Sequence, residues 1–320
     1  MIDSSQISFP EKNHNNATLE NVIKSGAISN AYIFHGPEGV GRTNAAYNFI
    51  AEIINKNNSN IKPITKMKAN NFPDLILIEP TYLIKGKIVR KSEFQEDLTQ
   101  KNKPIIRIDQ IREIKKFLGQ RSIESDKKFI LIKDAHLLNE AASNCLLKTL
   151  EEPENGLFIL ITSNINNLLD TIKSRCQQIR FKRLSNEALF NQIQLNKKFT
   201  ENKNEITYLK ELIYIANGSP KQLWENISLW ISIPENIKQN IIKPMSNKID
   251  ILILVKTITD ELNIDQQNFL IDFLLYKWWK ETKNIKIMKS LEKLKYDIKN
   301  NIQARLAWEV CFLKISLDDI

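Results

Sequence analysis

With 320 residues, 42% hydrophobic and 26% charged, the chain is too long for one ordinary core and reads as a globular protein of two or three domains. No apolar run reaches the roughly 18 residues that a membrane span needs, and Met1–Pro10 lacks the basic-then-apolar pattern of a secretion signal, so a cytoplasmic chain without membrane contact is expected. The net charge of +9 suits nucleic-acid contact, yet a sequence crowded with Lys, Asn and Ile acquires such a charge from nucleotide bias alone, and charge decides nothing here.

Short apolar runs recur through the first half: Tyr32–His35, Leu75–Glu79, Phe129–Ile132, Leu157–Thr162 and Gln178–Phe181. Runs this short and apolar suit strands buried on both faces of a parallel sheet. Between them Arg42–Ile54, Gln110–Leu118 and Glu140–Leu150 carry apolar residues at helical spacing, which predicts βαβ units and a doubly wound α/β domain. Tyr82–Lys103 is charged and poorly periodic and reads as an exposed excursion.

After Leu184 no strand signal appears. Ser185–Asn196, Asn204–Asn217 and Lys221–Trp230 read as helices, with Gly218-Ser219-Pro220 as a stop and restart and Pro234 as a further break. Phe269, Leu270, Phe273, Leu274 and Trp278 form one stripe at helical spacing. Ile287, Leu291, Leu294, Ile298, Ile302 and Leu306 form another. Such stripes are plain core far more often than ligand boxes.

The run Tyr32–His35 leads straight into Gly36-Pro37-Glu38-Gly39-Val40-Gly41-Arg42-Thr43 and then a helix. Strand, glycine-rich loop and helix is the arrangement whose backbone N–H groups cradle phosphates. Thr43 stands where a magnesium-binding hydroxyl belongs. Position 42 should be lysine, a compact point charge, and is arginine, a wide planar fork. The strand Phe129–Ile132 should end in an aspartate that holds magnesium, but continues Lys133-Asp134-Ala135-His136. A cation at the metal-holding position, with Arg42, points to a decayed site; Lys133 as a solvated strand-end residue is the plainer alternative.

The stretch Phe129–Lys182 resembles the bacterial clamp-loader subunits, gamma/tau and delta-prime, of the AAA+ superfamily. Its diagnostic pieces are Asn144-Cys145-Leu146-Leu147-Lys148-Thr149-Leu150-Glu151-Glu152-Pro153 and Ser174-Arg175-Cys176. The opening also fits: a helix ends at Lys24-Ser25-Gly26 before Asn30-Ala31-Tyr32. A defective ATP site with the Ser-Arg-Cys motif retained looks like delta-prime rather than gamma/tau.

This resemblance implies an AAA+ α/β domain over 1–183, a small helical lid over 184–232 and a helical collar over 233–320. It implies that Arg175 is an arginine finger serving a neighbour's ATP site, with an exposed surface arginine as the plain alternative. Gly36, Gly39, Gly41, Arg42 and Thr43 would form a degenerate phosphate loop. Asp134, Asn164 and Lys221 would be weak or vestigial nucleotide contacts, Asn164 doubling as a strand-end cap and Lys221 as a helix N-terminal residue. No cofactor is firmly expected, beyond weak or vestigial nucleotide binding. Relatives commonly carry a zinc-binding cysteine cluster after the first helix, but Asn55–Asn71 contains no cysteine, so neither zinc nor any other metal is expected. Cys145 and Cys176 read as packing residues, and His14, His35 and His136 show no metal spacing.

The resemblance further implies gamma/tau and delta subunits as partners, with the sliding clamp and primed DNA met through the complex. Two other readings stay open: an active AAA+ ATPase of the gamma/tau kind, against which Lys133 counts, and a stand-alone DNA-binding regulator, against which the oligomer-dependent Ser-Arg-Cys motif counts.

Overall fold

The computed structural model describes residues 14–57, 63–84, 86–93, 103–151, 156–194, 208–242 and 247–318. The chain divides into two compact units, Phe9–Arg183 and Leu184 onward. In the first, α1 (His14–Ser25), β1 (Ala31–His35), α2 (Arg42–Asn57), α3 (Pro63–Lys68), β2 (Leu75–Ile78), β3 (Thr81–Ile84), β4 (Lys87–Arg90), α4 (Ile108–Leu118), β5 (Lys128–Ile132), α5 (Glu140–Glu151), β6 (Gly156–Thr162), α6 (Asp170–Lys173) and β7 (Gln177–Arg180) follow in order.

Five strands form one parallel sheet in the order β2-β5-β6-β1-β7. Successive side chains of a strand point to opposite faces, so a near-continuous apolar run serves two cores. Tyr32, Phe34, Phe129, Leu131, Leu157 and Ile159 pack with α1 and α2 on one face. Ile33, Ile130, Ile132, Phe158 and Leu160 pack on the other against Ile111 and Ile114 of α4 and Leu146 of α5. The result is a three-layer α/β/α sandwich, as the alternation of runs and helical periods predicts.

The second unit is helical throughout its described residues: α7 (Asn186–Gln194), α8 (Leu209–Ile215), α9 (Pro220–Ser232), α10 (Glu235–Ile241), α11 (Lys248–Glu261), α12 (Ile264–Thr282), α13 (Ile285–Lys299) and α14 (Ala304–Asp318). Its restart at 219 has a clear cause: Ser219 caps α9 by accepting from the Gln222 backbone N–H, with Pro220 at the first helical position. Helices on both sides of residue 232 feed one continuous core, in which Trp230 lies 4.5 Å from Phe273 between ring centroids and Trp308 lies 5.2 Å from Phe312. The buried Gln267 joins α12 to α14, accepting from Trp308 Nε1 at 3.0 Å while donating to the Leu262 carbonyl.

Two expectations need correction. The second stripe does not run through to Leu306, because α13 stops at Lys299 and Asn301 takes a positive φ of 59°. Ile302 and Leu306 therefore leave the buried line and are exposed, while Ile287, Leu291, Leu294 and Ile298 keep it. The stretch from Tyr82 is exposed as expected over most of its described residues, but it is ordered there: β3 and β4 pair as an antiparallel hairpin, and Thr81 bridges to Ile105. Residues 94–102 of that stretch, and Glu152 and Pro153 of the motif, lie outside the described residues.

Candidate functional site

Because all five strands run parallel, their C-terminal ends share one edge of the sheet, where open α/β folds place ligands. The glycine-rich loop follows β1 there. Gly36 has φ 149°, and a Cβ added to it would lie 2.1 Å from the Phe181 carbonyl oxygen. Two hydrogen bonds hold it that close: Gly36 donates to the Thr162 carbonyl at 3.2 Å, and Phe181 donates to the His35 carbonyl at 2.7 Å. Gly39 and Gly41 also take positive φ, 74° and 91°, so the backbone curls as a phosphate cradle requires.

Arg42 and Thr43 open α2. Arg42 is only 7% exposed, and its Nη1 is buried with no hydrogen-bond partner among the described residues. Burial lowers its pKa, while the charges of Asp134 and Glu38 oppose that shift. A guanidinium nitrogen left unpaired in the interior costs on the order of 1–3 kcal/mol.

Asp134 follows β5 in the left-handed conformation, φ 49° and ψ 46°. Its Oδ2 accepts from Lys91 Nζ at 2.9 Å, the lysine reaching over from just beyond β4. Partial burial pulls the Lys91 pKa down, but the hydrogen bond and charge of Asp134 outweigh it and the net shift is upward. Lys133 next door is half-buried, its backbone N–H held by the Ile78 carbonyl.

His136 Nδ1 lies 3.3 Å from Thr162 Oγ1. Burial is the main cause that lowers the pKa of both His136 and His35; Arg42 adds repulsion to each, and Asp134 opposes the shift at His136. Both are held toward the neutral form.

The remaining expected residues each have partners of their own. Asn164 uses its side-chain oxygen to cap the turn Ile165–Asn167, accepting from Asn166 N, which is the strand-end role its position equally allowed. Arg175 stands exposed just after α6; its Nη2 donates to Glu151 Oε1 at 2.7 Å and its Nη1 to the Thr171 carbonyl at 2.9 Å. Neighbouring Cys176 is buried, its thiol pKa pushed up to about 12, so it packs rather than reacts. Lys221 belongs to the second unit and pairs with Glu225 at 3.5 Å.

Lys91 and Glu151 are the two residues that sequence reasoning passes over. Glu151 sits inside the diagnostic motif and carries a signal. Lys91 carries none, because its partner is 43 positions away.

The donor set of the curled loop, with Arg42 at its end, is of the kind that a phosphate takes. It does not fit magnesium, because the carboxylate of Asp134 is already held by an ammonium and Lys133 adds a second cation beside it. Among the described residues no group of three or more His, Cys, Asp or Glu side chains is arranged to hold a metal. No helix among them is long and apolar enough to cross a membrane.

Comparison with known proteins gives the family. A family model described as DNA polymerase III, delta subunit, matches residues 11–185, and one described as cyanobacterial DNA polymerase III delta prime, C-terminal domain, matches residues 190–315. The DNA polymerase III subunit delta' of Bacillus subtilis (strain 168) is 30% identical over 177 residues, 53% of this chain and 47% of that protein. Subunit tau of the same organism is 33% identical over 178 residues, 55% of this chain and 29% of that protein. These alignments therefore span less than half of either relative. Subunit gamma of Buchnera aphidicola subsp. Schizaphis graminum is 28% identical over 277 residues, 86% of this chain and 67% of its own length. The crystal structure of a DNA polymerase III gamma subunit-related protein from Thermotoga maritima superposes with a TM-score of 0.48 at 17% identity, covering 93% of this chain and 98% of that one. With one family model spanning more than half of the sequence and a second, of the delta-prime kind, spanning most of the rest, the chain belongs to the delta-prime family of DNA polymerase III clamp-loader subunits.

Proposed function

We propose that this chain serves the clamp loader as a delta-prime subunit that does not hydrolyse ATP itself but lends Arg175 to the ATP site of a gamma/tau-type neighbour. The observation that carries this is the setting of Arg175: an exposed guanidinium, oriented by Glu151 and the Thr171 carbonyl, at the end of a helix in a motif that only an oligomer can use. A cation brought to the transferred phosphoryl group offsets charge that develops in the transition state, and the planar fork suits that task better than an ammonium. Arg42, Lys133 and the Lys91–Asp134 pair support the negative half of the reading. An attacking water and a magnesium ion need carboxylates on the sheet edge, and here cations meet them instead.

In this account residues 184–232 act as the lid and 233–320 as the collar that joins gamma/tau and delta subunits. The clamp and primed DNA are met through the assembly, in the cytoplasm. The test is turnover of the chain alone and in company. Alone it hydrolyses ATP with magnesium no faster than Thr43→Ala, and added to gamma/tau-type and delta subunits it raises their clamp- and DNA-stimulated turnover. Magnesium-dependent hydrolysis by the isolated chain that Thr43→Ala abolishes would favour the active-ATPase reading instead.

A further inference from the structure

We propose that the exposed face of α12 and α13, bordered by Tyr214 of α8, binds single-stranded nucleic acid, with lysines against the phosphates and aromatic rings against the bases. Charge points to it first. Residues 277–299 carry eight lysines against the three carboxylates Glu281, Glu292 and Asp297, whereas the rest of residues 184–320 carries 11 basic and 14 acidic side chains. Nucleotide bias would spread lysine along the whole chain. This excess is instead confined to the end of α12 and to α13, inside a unit that is otherwise slightly acidic.

The helices put these charges on one face. On α13, Lys289, Lys293 and Tyr296 follow at spacings of four and three, opposite the buried line Ile287, Leu291, Leu294 and Ile298. Next to Tyr296, Lys295 donates to Asp272 and ties α13 to α12, where Tyr276 lies one turn on from Asp272. Rings lie among the lysines. Tyr296 is 67% exposed, Tyr214 55% and Trp279 44%. Tyr214 stacks on Tyr276 with ring centroids 4.4 Å apart, and Lys280, a further turn along α12, reaches Glu211 of α8 at 3.4 Å. A charged helix face is ordinarily only solvated. Large rings left in water beside lysines are different, because each nucleotide offers a flat base to a ring and a phosphate to an ammonium. Lys277, Lys280 and Lys295 are held in ion pairs, while Lys283, Lys289, Lys293 and Lys299 stand exposed. Glu292, exposed on α13, opposes them. A duplex hides its base faces in the stack, so the rings select a single strand.

This inference is independent of Arg175 and of the glycine-rich loop, and it needs no partner subunit. The experiment is fluorescence anisotropy of labelled oligo-dT, oligo-rU and a duplex of the same length, each titrated with the full chain at several salt concentrations. Both single strands should bind more tightly than the duplex, and the tighter of the two names the source. Affinity should fall with salt at a log–log slope of about −3, four lysines at about 0.7 each. Lys289→Gln with Lys293→Gln, at exposed positions, should lower that slope by about 1.4. Tyr296→Ala should weaken binding about tenfold, the loss of one stacked base, and Tyr296→Phe should keep it because the ring alone stacks. Circular dichroism of each variant guards against misfolding. Absence of binding by either single strand, a duplex bound as tightly, an unchanged salt slope in the double lysine variant, or wild-type affinity in Tyr296→Ala would each overturn the inference.

Discussion

Asp134 and Glu151 are both carboxylates of the α/β unit, each held by a cation from a distant part of the chain at 2.9 and 2.7 Å. Their consequences are opposite. At Asp134 the pair, on the proposed reading, closes a position where hydrolysis would need an open carboxylate. At Glu151 the carboxylate is the servant, and it orients an arginine whose side chain is 37% exposed. Partly exposed pairs of this kind contribute only about 0–1 kcal/mol to stability, so neither is explained by folding. The difference teaches that an ion pair is read by which partner the chemistry needs free.

Gly36→Ala should have the largest effect and should separate the two regions. Its Cβ would meet the Phe181 carbonyl oxygen at 2.1 Å, against backbone that cannot move without breaking the sheet edge. A loss of about 3 kcal/mol is expected in denaturant unfolding. Gly26→Ala, at positive φ but with nothing within 4 Å, should cost about 1 kcal/mol, and equal losses would show that the crowding at Gly36 is not real.

Glu151→Gln sharpens the other side. The amide can still accept from Arg175 but loses the charge that orients it. Stimulated turnover of the reconstituted loader should fall several-fold, about 1 kcal/mol of transition-state stabilisation, while stability moves by no more than about 0.5 kcal/mol. A change in stability without a change in turnover would make Glu151 a purely structural partner.

The smallest effect is a pH slope. His35 and His136 have folded pKa values below the ordinary 6.5, so the unfolded chain binds protons first as pH falls. Their contribution to stability is complete above 6.5 and is lost as pH drops from there through the lowered values. His136→Gln should flatten that part of the stability curve, and an unchanged slope would show that burial at His136 does not govern its protonation. Lys91 acts at the opposite end: its raised pKa contributes stability at all pH values below the ordinary lysine value and loses it only above.

The sheet was legible in sequence because strands buried on both faces leave short apolar runs, and all five runs became strands of the parallel sheet. The helical unit was legible wherever one amphipathic stripe stayed on one helix, as with Phe269 to Trp278. It failed at Ile302 and Leu306, where a turn at Asn300–Asn301 shifts the helical phase without any proline or glycine to announce it. The loop glycines and Arg175 were readable from local spacing and motif. Lys91 was not, because a hairpin with little periodicity brings it to Asp134, and only tertiary structure joins them. The burial of Arg42 was likewise invisible, since an arginine at a helix start is ordinarily solvated.

The central claim, that this chain gives an arginine rather than using a nucleotide, is tested most directly at Arg175. In a reconstituted loader of matched composition, Arg175→Ala should assemble and fold like wild type. It should nonetheless lower clamp- and DNA-stimulated ATP turnover and lower clamp loading further, because an arginine finger is worth about a thousandfold or more at the one site it serves. Arg175→Lys should not restore either, since a point charge does not reproduce the planar fork. Equal turnover and equal loading by wild-type and Arg175→Ala assemblies would reduce Arg175 to a surface charge and contradict the account.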